Sequence, residues 1–102
     1  MGAGTMAAYF ISDASVKNPE ALETFRARAA SSISRYGGRY LARTGSVVPA
    51  EGTRKPSAII IIIEFPDLDC ANTWYRSAEY AAALTVRDEA ISRDMILVEG
   101  MT

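Results

Sequence analysis

The sequence predicts an α+β fold in which a four-stranded antiparallel sheet carries helices on one face. The clearest signal is a run of five consecutive isoleucines within residues 57–66, because β-branched side chains favour an extended strand. Residues 19–36 show an apolar stripe at spacings of three and four, which is typical of an amphipathic helix. Further strand and helix signals complete the order β-α-β-β-α-β, the ferredoxin-like arrangement.

The isoleucine run also predicts how the chain associates. Its odd and even positions are both apolar, so this strand should bury both of its faces. The predicted helices cover only one face, and a chain of 102 residues has little else to place on the other. The interior of a closed barrel or a partner subunit could cover it. We expect a homodimer that associates through the open face of the sheet.

Helix caps and glycines set the boundaries of the elements predicted in the first half of the chain. The first strand is predicted over Met6–Ser12, and the first helix begins at Asn18-Pro19, an N-cap followed by the first helical residue. Gly37-Gly38 ends that helix, because glycine accepts the left-handed conformation at low cost. The second strand is predicted over Arg39–Val48.

The second half repeats the pattern after the isoleucine strand. A helical region is predicted to begin at Pro66-Asp67, and a second N-cap at Ser77 predicts a bend within it. Residues 92–94 are predicted to form a short turn, and Met95–Glu99 the fourth strand.

Length and charge limit the remaining possibilities. We expect one domain over residues 6–102, with residues 1–5 an expression remnant or a disordered N-terminus. The net charge is −1 with no long run of one sign, so no nucleic-acid or membrane partner is predicted. There is no secretory signal, and the single cysteine excludes an internal disulfide, so we expect a cytoplasmic protein.

Several segments together resemble a known family. They are Gly37-Gly-Arg-Tyr-Leu-Ala-Arg43, Glu51-Gly52, Ile63-Glu-Phe-Pro66, Trp74-Tyr-Arg-Ser-Ala-Glu-Tyr80, Arg87 and Val98-Glu-Gly100, and the match covers residues 6–100. Their order and spacing are similar to those of the domain-of-unknown-function family number thirteen-thirty, within the dimeric α+β barrel superfamily. The resemblance implies a homodimer in which two sheets face each other. Relatives range from cofactor-independent monooxygenases to non-catalytic members, so it implies no particular reaction.

The composition excludes several kinds of site. The chain has no histidine and one cysteine, which removes the commonest general base and the usual haem and zinc ligands. We therefore expect no metal and no cofactor, and no dinucleotide or phosphate-loop motif is present. Cys70 lies near a helix start, which can lower a thiol pKa, but without a partner base an inert thiol is expected.

The charged candidates are on and beside the isoleucine strand. Arg39 and Arg43 are predicted to share one face of their strand, with Tyr40 on the other, next to the strand that bears Glu64. Guanidinium groups bind carboxylates well. These residues therefore predict either an anion-binding or acid–base group at a cleft, or a cross-strand ion pair or dimer contact.

Arg87 is the other charged candidate. It shares a helix face with Tyr80 and Leu84, so its charge needs a partner, and Glu64 is the natural one. An Arg87–Glu64 pair next to Tyr40 is the predicted catalytic group, and a plain structural bridge is the alternative.

Aromatic side chains supply candidate ligand contacts. Tyr9, Tyr40, Trp74, Tyr75 and Tyr80 could line a pocket for a small aromatic or apolar ligand, or could be ordinary core and interface residues.

Two functional hypotheses follow from these residues. In the first, a homodimer binds a small organic acid or aromatic metabolite between sheet and helices. Arg39, Arg43, Tyr9, Trp74 and Tyr80 then contact the ligand, and the predicted catalytic group supplies cofactor-free acid/base chemistry. In the second, the chain is a non-catalytic binding, regulatory or structural dimer module.

Overall fold

Four strands form one antiparallel sheet in the order β2-β3-β1-β4. The computed structural model describes residues 6–101, so the prediction for residues 1–5 lies outside it. The elements are β1 (Ala8–Val16), α1 (Pro19–Arg35), β2 (Arg39–Thr44), β3 (Ile59–Phe65), α2 (Leu68–Tyr75), α3 (Ala78–Ala90) and β4 (Ile91–Glu99). The predicted ferredoxin-like α+β fold is confirmed, with the second helical region divided into two helices.

The strand ends differ from the predicted ones because of pairing between β1 and β4. These strands pair along their whole length, from Ala8 opposite Glu99 to Val16 opposite Ile91. The first strand therefore continues four residues beyond its predicted end, and residues 92–94 are strand rather than turn. Ladder hydrogen bonds to a neighbouring strand outweigh the weak strand propensity of serine and aspartate there. The second strand is shorter than predicted and ends at Thr44.

The three predicted N-caps all form. The Asn18 side chain accepts hydrogen bonds from the backbone N–H groups of Glu20 and Ala21. Asp67 accepts from Cys70 N at 2.7 Å, and Ser77 accepts from Tyr80 N at 3.0 Å. Each cap satisfies donors that the first helical turn leaves free. The bend between the second and third helices therefore lies where the Ser77 cap predicts it.

The core lies between the helices and one face of the sheet. Its largest fully buried side chains include Trp74, Tyr80 and Phe65. The Trp74 ring lies 4.0 Å from the Tyr80 ring and 5.2 Å from both Phe65 and Phe10, between centroids. The indole N–H donates to the buried Ser32 hydroxyl at 2.9 Å. This aromatic cluster fixes the helix layer against the middle of the sheet.

The opposite face of the sheet, which we call the open face, has no helix against it within residues 6–101. Ile11 lies at its centre, opposite Ile62 on one side and Ile96 on the other. Ile62 is half-buried by its neighbours, but Ile96 is 59% exposed and Val98 is 40% exposed. In a single chain the isoleucine strand is thus fully buried only at Ile63 and Phe65, on the helix-facing side, and is partly covered elsewhere.

Two adjacent glycines end α1 for different reasons. Gly37 has φ +81°, the left-handed conformation that glycine adopts at little cost. Gly38 has no such φ, but a Cβ there would lie 2.6 Å from the Phe65 ring and 2.9 Å from Ile33 Cγ2. Both neighbours are buried, so glycine is required here by close packing.

Replacing Gly38 by alanine should therefore destabilise the protein. Overpacking against Phe65 and Ile33 is expected to cost about 1–3 kcal/mol in the free energy of unfolding, measured by urea denaturation. Gly52→Ala shows the cost of backbone strain alone, because Gly52 has φ +82° but nothing within 4 Å of an added Cβ. A Gly38→Ala variant as stable as the unsubstituted protein would contradict the packing explanation.

Candidate functional site

A pocket of about 600 Å³ opens between β4 and the helices α2 and α3. We call it the edge pocket, because β4 is an edge strand of the sheet. Small-molecule sites commonly have volumes of roughly 300–1,000 Å³. Its lining residues are Phe10, Lys17, Asn72, Tyr75, Arg87, Asp88, Ile91, Ser92, Arg93, Met95 and Leu97.

Cations outnumber carboxylates in the edge pocket. Lys17, Arg87 and Arg93 line it, and Asp88 is the one carboxylate among the lining residues. Arg87 pairs with Asp88 at 3.1 Å, while Lys17 Nζ donates to the Asp88 backbone carbonyl at 2.6 Å. At neutral pH the lining therefore carries net positive charge, which attracts an anionic ligand.

The opposite side of the edge pocket is apolar. The rings of Phe10 and Tyr75 are stacked at 5.7 Å between centroids, with an interplanar angle of 25°. Ile91, Met95 and Leu97 alternate along β4 on the helix-facing side. Such a wall suits the flat or apolar body of a small ligand.

A second, smaller space lies deeper between the sheet and the helices. This interlayer cavity has a volume of about 20 Å³, room for about one water molecule. Tyr40, Trp74 and Tyr80, which the sequence suggests as candidate contacts, all line it. Arg93 and Met95 line both this cavity and the edge pocket. The two spaces are therefore neighbours that share a wall.

Two polar side chains that line the interlayer cavity, Arg93 and Ser12, differ in their hydrogen bonding. Arg93 donates to the Tyr80 hydroxyl at 2.5 Å, and its guanidinium carbon lies 5.5 Å from the Phe25 ring centroid. Ser12 is only 1% exposed, yet its hydroxyl has no hydrogen-bond partner within residues 6–101. A buried polar group left without a partner costs about 1–3 kcal/mol. The Ser12 hydroxyl is therefore poised to bond something that enters the cavity.

Tyr40 lies at the other end of the interlayer cavity. A β-bulge between Tyr40 and Ala42 shifts the alternation of β2, so Arg43 lies on the same face as Tyr40 and not on that of Arg39. The Arg43 guanidinium carbon is 4.7 Å from the Tyr40 ring centroid. Burial raises the pKa of Tyr40, although Arg43, Arg26 and Arg93 act in the opposite direction. The Tyr40 phenol therefore stays protonated at neutral pH.

Glu64 lies on the open face of the sheet, away from both spaces. Its carboxylate accepts from Arg39 Nε at 2.8 Å, and Tyr9 is its neighbour in the β1–β3 register. The hydrogen bond from Arg39 lowers the pKa of Glu64, and the hydrogen bond to Glu64 raises the pKa of Tyr9. Arg39 and Glu64 therefore form a cross-strand ion pair, which is one of the alternatives that the sequence leaves open.

The predicted pair between Arg87 and Glu64 does not form. Arg87 pairs with Asp88, its sequence neighbour, and Glu64 pairs with Arg39. The reason is the pleat: Ile63 points towards the helices opposite Tyr40, so the next residue, Glu64, points to the open face. The structure thus separates the three members of the predicted catalytic group.

The surroundings of Trp74 and Cys70 limit what these two sequence candidates can do. The Trp74 indole N–H is already bonded to Ser32, so only its ring faces the interlayer cavity. The pKa of Cys70 is raised, first by its hydrogen bond to Asp67 and then by burial. A raised pKa leaves little thiolate at neutral pH, which agrees with an inert thiol.

Sequence reasoning missed Ser12, Lys17 and Arg93. The predicted turn over residues 92–94 places Arg93 outside the fourth strand, so its side chain is not expected to face the helices. The alternation of Ile91, Arg93 and Met95 could have placed it on the helix-facing side of a longer fourth strand. Ser12 follows Ala8 and Phe10 in the same way, but a single serine carries no sequence signal that it lacks a partner.

Within residues 6–101, no group of three or more His, Cys, Asp or Glu side chains could hold a metal ion. The described helices are also too short or too polar to cross a bilayer.

The ion pair on the open face should make stability depend on pH. Because Arg39 depresses the pKa of folded Glu64 below its ordinary 4.5, the pair stabilises the fold above that pH. The contribution is lost as the pH falls through the folded pKa. Urea unfolding at pH 7 and pH 3 should therefore show a smaller loss of stability in Glu64→Gln than in the unsubstituted protein. Glu51→Gln, at an exposed loop position, should lose as much stability between pH 7 and pH 3 as the unsubstituted protein. Identical losses in all three proteins would show that protonation of Glu64 is not linked to stability.

Comparisons with solved structures agree on the fold. A protein of unknown function from Rhodopseudomonas palustris has a TM-score of 0.76 and 15% identity, covering 95% of this chain and 84% of that one. The cofactor-independent oxygenase SnoaB from Streptomyces nogalater has a TM-score of 0.68 and 15% identity, covering 96% of both chains. A dimeric protein of unknown function and ferredoxin-like fold from Bacteroides fragilis has a TM-score of 0.55 and 18% identity, covering 91% of this chain and 95% of that one.

These identities are low enough that the structural likeness establishes the fold alone. No curated protein matches the chain. A family model does: "Domain of unknown function (DUF1330)" matches residues 7–101, nearly the whole chain. The expected family is therefore confirmed, and the chain belongs to the DUF1330 family.

Proposed function

We propose that the protein binds a small organic acid with an aromatic or apolar body in the edge pocket. The observation that carries this proposal is the composition of the lining: Lys17, Arg87 and Arg93 against one carboxylate, beside the stacked rings of Phe10 and Tyr75. The cations would hold the ligand carboxylate, and the aromatic wall its ring. The pocket lies between sheet and helices, as the first sequence hypothesis expects.

Arg87 is the side chain best suited to recognise the carboxylate. Its side chain is 31% exposed, so it is partly desolvated but still accessible from the pocket. Its present partner, Asp88, is 87% exposed and can be solvated by water when a ligand takes over the guanidinium. Exchange of a weak surface pair for a ligand carboxylate therefore costs little.

The open face supports a second part of the proposal, a homodimer. Ile96 and Val98 expose apolar surface next to the half-buried Ile11 and Ile62, and a second copy of the same face would remove that surface from water. The Bacteroides fragilis protein of similar fold is described as dimeric. In this arrangement the edge pocket lies on the far side of each sheet from the partner.

Binding, rather than catalysis, is the function that the geometry favours. The structural neighbour SnoaB is described as a cofactor-independent oxygenase, but its identity to this chain is 15%. Glu64 lies on the open face, Arg87 at the edge pocket and Tyr40 at the interlayer cavity. We therefore propose no proton transfer that uses all three. Their catalytic roles stay a prediction, as do the ligand contacts of Tyr9, Arg39 and Arg43 and the cytoplasmic location.

The alternative is a non-catalytic regulatory or structural dimer module without a ligand. It would use the same open face and would leave the edge pocket without a role. The two hypotheses differ in what they expect of Arg87.

Loss of the Arg87 guanidinium should weaken binding of a simple aromatic acid. For benzoate, Arg87→Ala should raise the Kd about tenfold, since a charge-assisted hydrogen bond is lost. Titration followed by NMR chemical shifts would measure the Kd and locate the shifts. Arg54→Ala is the matched control, because Arg54 is exposed in the loop between β2 and β3. Equal affinities of the two variants, or shifts that do not map to the edge pocket, would count against the proposal.

A charge on the open face should dissociate the dimer. Ile96→Asp would bury a carboxylate without a partner in the interface, so we expect sedimentation velocity to show monomers where the unsubstituted protein is a dimer. Val48→Asp, at an 84% exposed loop position, should leave the dimer intact. A monomeric unsubstituted protein at micromolar concentration would rule the homodimer out.

A further inference from the structure

The wall between the edge pocket and the interlayer cavity consists of two long side chains. Arg93 and Met95 lie on the helix-facing side of β4 and line both spaces. Arg93 makes no ion pair within residues 6–101; the Tyr80 hydroxyl and the Phe25 ring hold it. Met95 is unbranched and adapts easily to a new neighbour. A ligand that displaces Met95 would open the wall without breaking a polar contact, whereas displacing Arg93 would break its hydrogen bond to Tyr80.

One unpaired hydroxyl faces the space behind this wall. The Ser12 hydroxyl lies directly opposite Met95 in the β1–β4 register and has no hydrogen-bond partner among residues 6–101. Arg26 Nε is likewise buried without a partner in the described part of the chain, but Arg26 does not line the cavity. No aspartate or glutamate lines the interlayer cavity. The group that fits there is an oxygen atom that accepts hydrogen bonds.

We propose that the interlayer cavity is the inner end of the edge pocket and receives an oxygen-bearing end of the ligand, with Ser12 as its hydrogen-bond partner. This inference rests on the proposed function. It narrows the ligand class from organic acids in general to hydroxylated aromatic acids. The carboxylate then lies at the cations of the edge pocket, and the ring oxygen passes Met95 to reach the Ser12 hydroxyl.

The burial of Ser12 explains why this subsite would discriminate between ligands. A site built to bond a ligand oxygen selects strongly against an analogue that lacks it, because the buried protein group then stays without a partner. A ligand without the ring oxygen would bind only the outer cations and the aromatic wall.

Two probes that differ by one hydroxyl group test the inference. Titrations of benzoate and 4-hydroxybenzoate are compared for the unsubstituted protein, Ser12→Ala and Ser15→Ala. We expect the unsubstituted protein to bind 4-hydroxybenzoate about tenfold more tightly than benzoate. Ser12→Ala should bind both probes with the affinity of benzoate. Ser15→Ala, on the same strand but the opposite face, should keep the preference.

The outcomes separate this inference from the proposed function. If neither probe binds, the proposed function fails and the inference fails with it. If benzoate binds but 4-hydroxybenzoate gains nothing, or if Ser12→Ala keeps the preference, the inference alone is wrong and the cavity holds water at most. The melting temperature supplies an independent check: Ser12→Ala should melt no lower than the unsubstituted protein. A clearly lower value would mean that the hydroxyl has a partner within the protein, which also overturns the inference.

Discussion

A sheet has two faces, and the helices within residues 6–101 cover only one of them. That constraint governs the rest of the structure. The helix-facing side is closed by an aromatic cluster around Trp74, whose polar N–H is satisfied by Ser32. The open face carries the isoleucines that no helix covers, with Ile96 more than half exposed. This partly exposed apolar surface is what the proposed homodimer would remove from water.

The same helix layer creates the pocket by covering the sheet unevenly. The second helix contacts β1 and β3, whereas β4 is contacted by the third helix. The third helix leads directly into β4, so it cannot lie over the whole strand. Arg93 lies among apolar neighbours on β4 at the boundary between the edge pocket and the interlayer cavity, and Lys17, just after β1, lines the edge pocket as well. Cationic side chains therefore line a concave apolar surface, which is the usual composition of a site for small anions.

Membership of the DUF1330 family identifies the architecture but leaves the chemistry to individual residues. Folds of this kind support different functions on one framework, and the binding role proposed above rests on Arg87, Arg93 and Ser12. The one carboxylate predicted for catalysis, Glu64, is paired with Arg39 on the face opposite to the pocket.

The sequence by itself determined the order of elements, the three helix caps and the helix stop at Gly37. These features depend on neighbours within a few residues, and local hydrogen bonds or backbone angles decide them. The ends of the strands were harder to predict from the sequence. β4, for example, begins at Ile91 because this residue pairs with Val16, which is distant in the chain.

Only the tertiary structure decided which candidate residues meet. Tyr40, Trp74 and Tyr80 come together because their elements enclose the interlayer cavity. A single bulge in β2 turns Arg43 towards Tyr40, and the pleat of β3 turns Glu64 away from Arg87. Sequence alternation cannot reveal a bulge, a pairing register or a hydroxyl without a partner, because each depends on side chains brought together from separate parts of the chain.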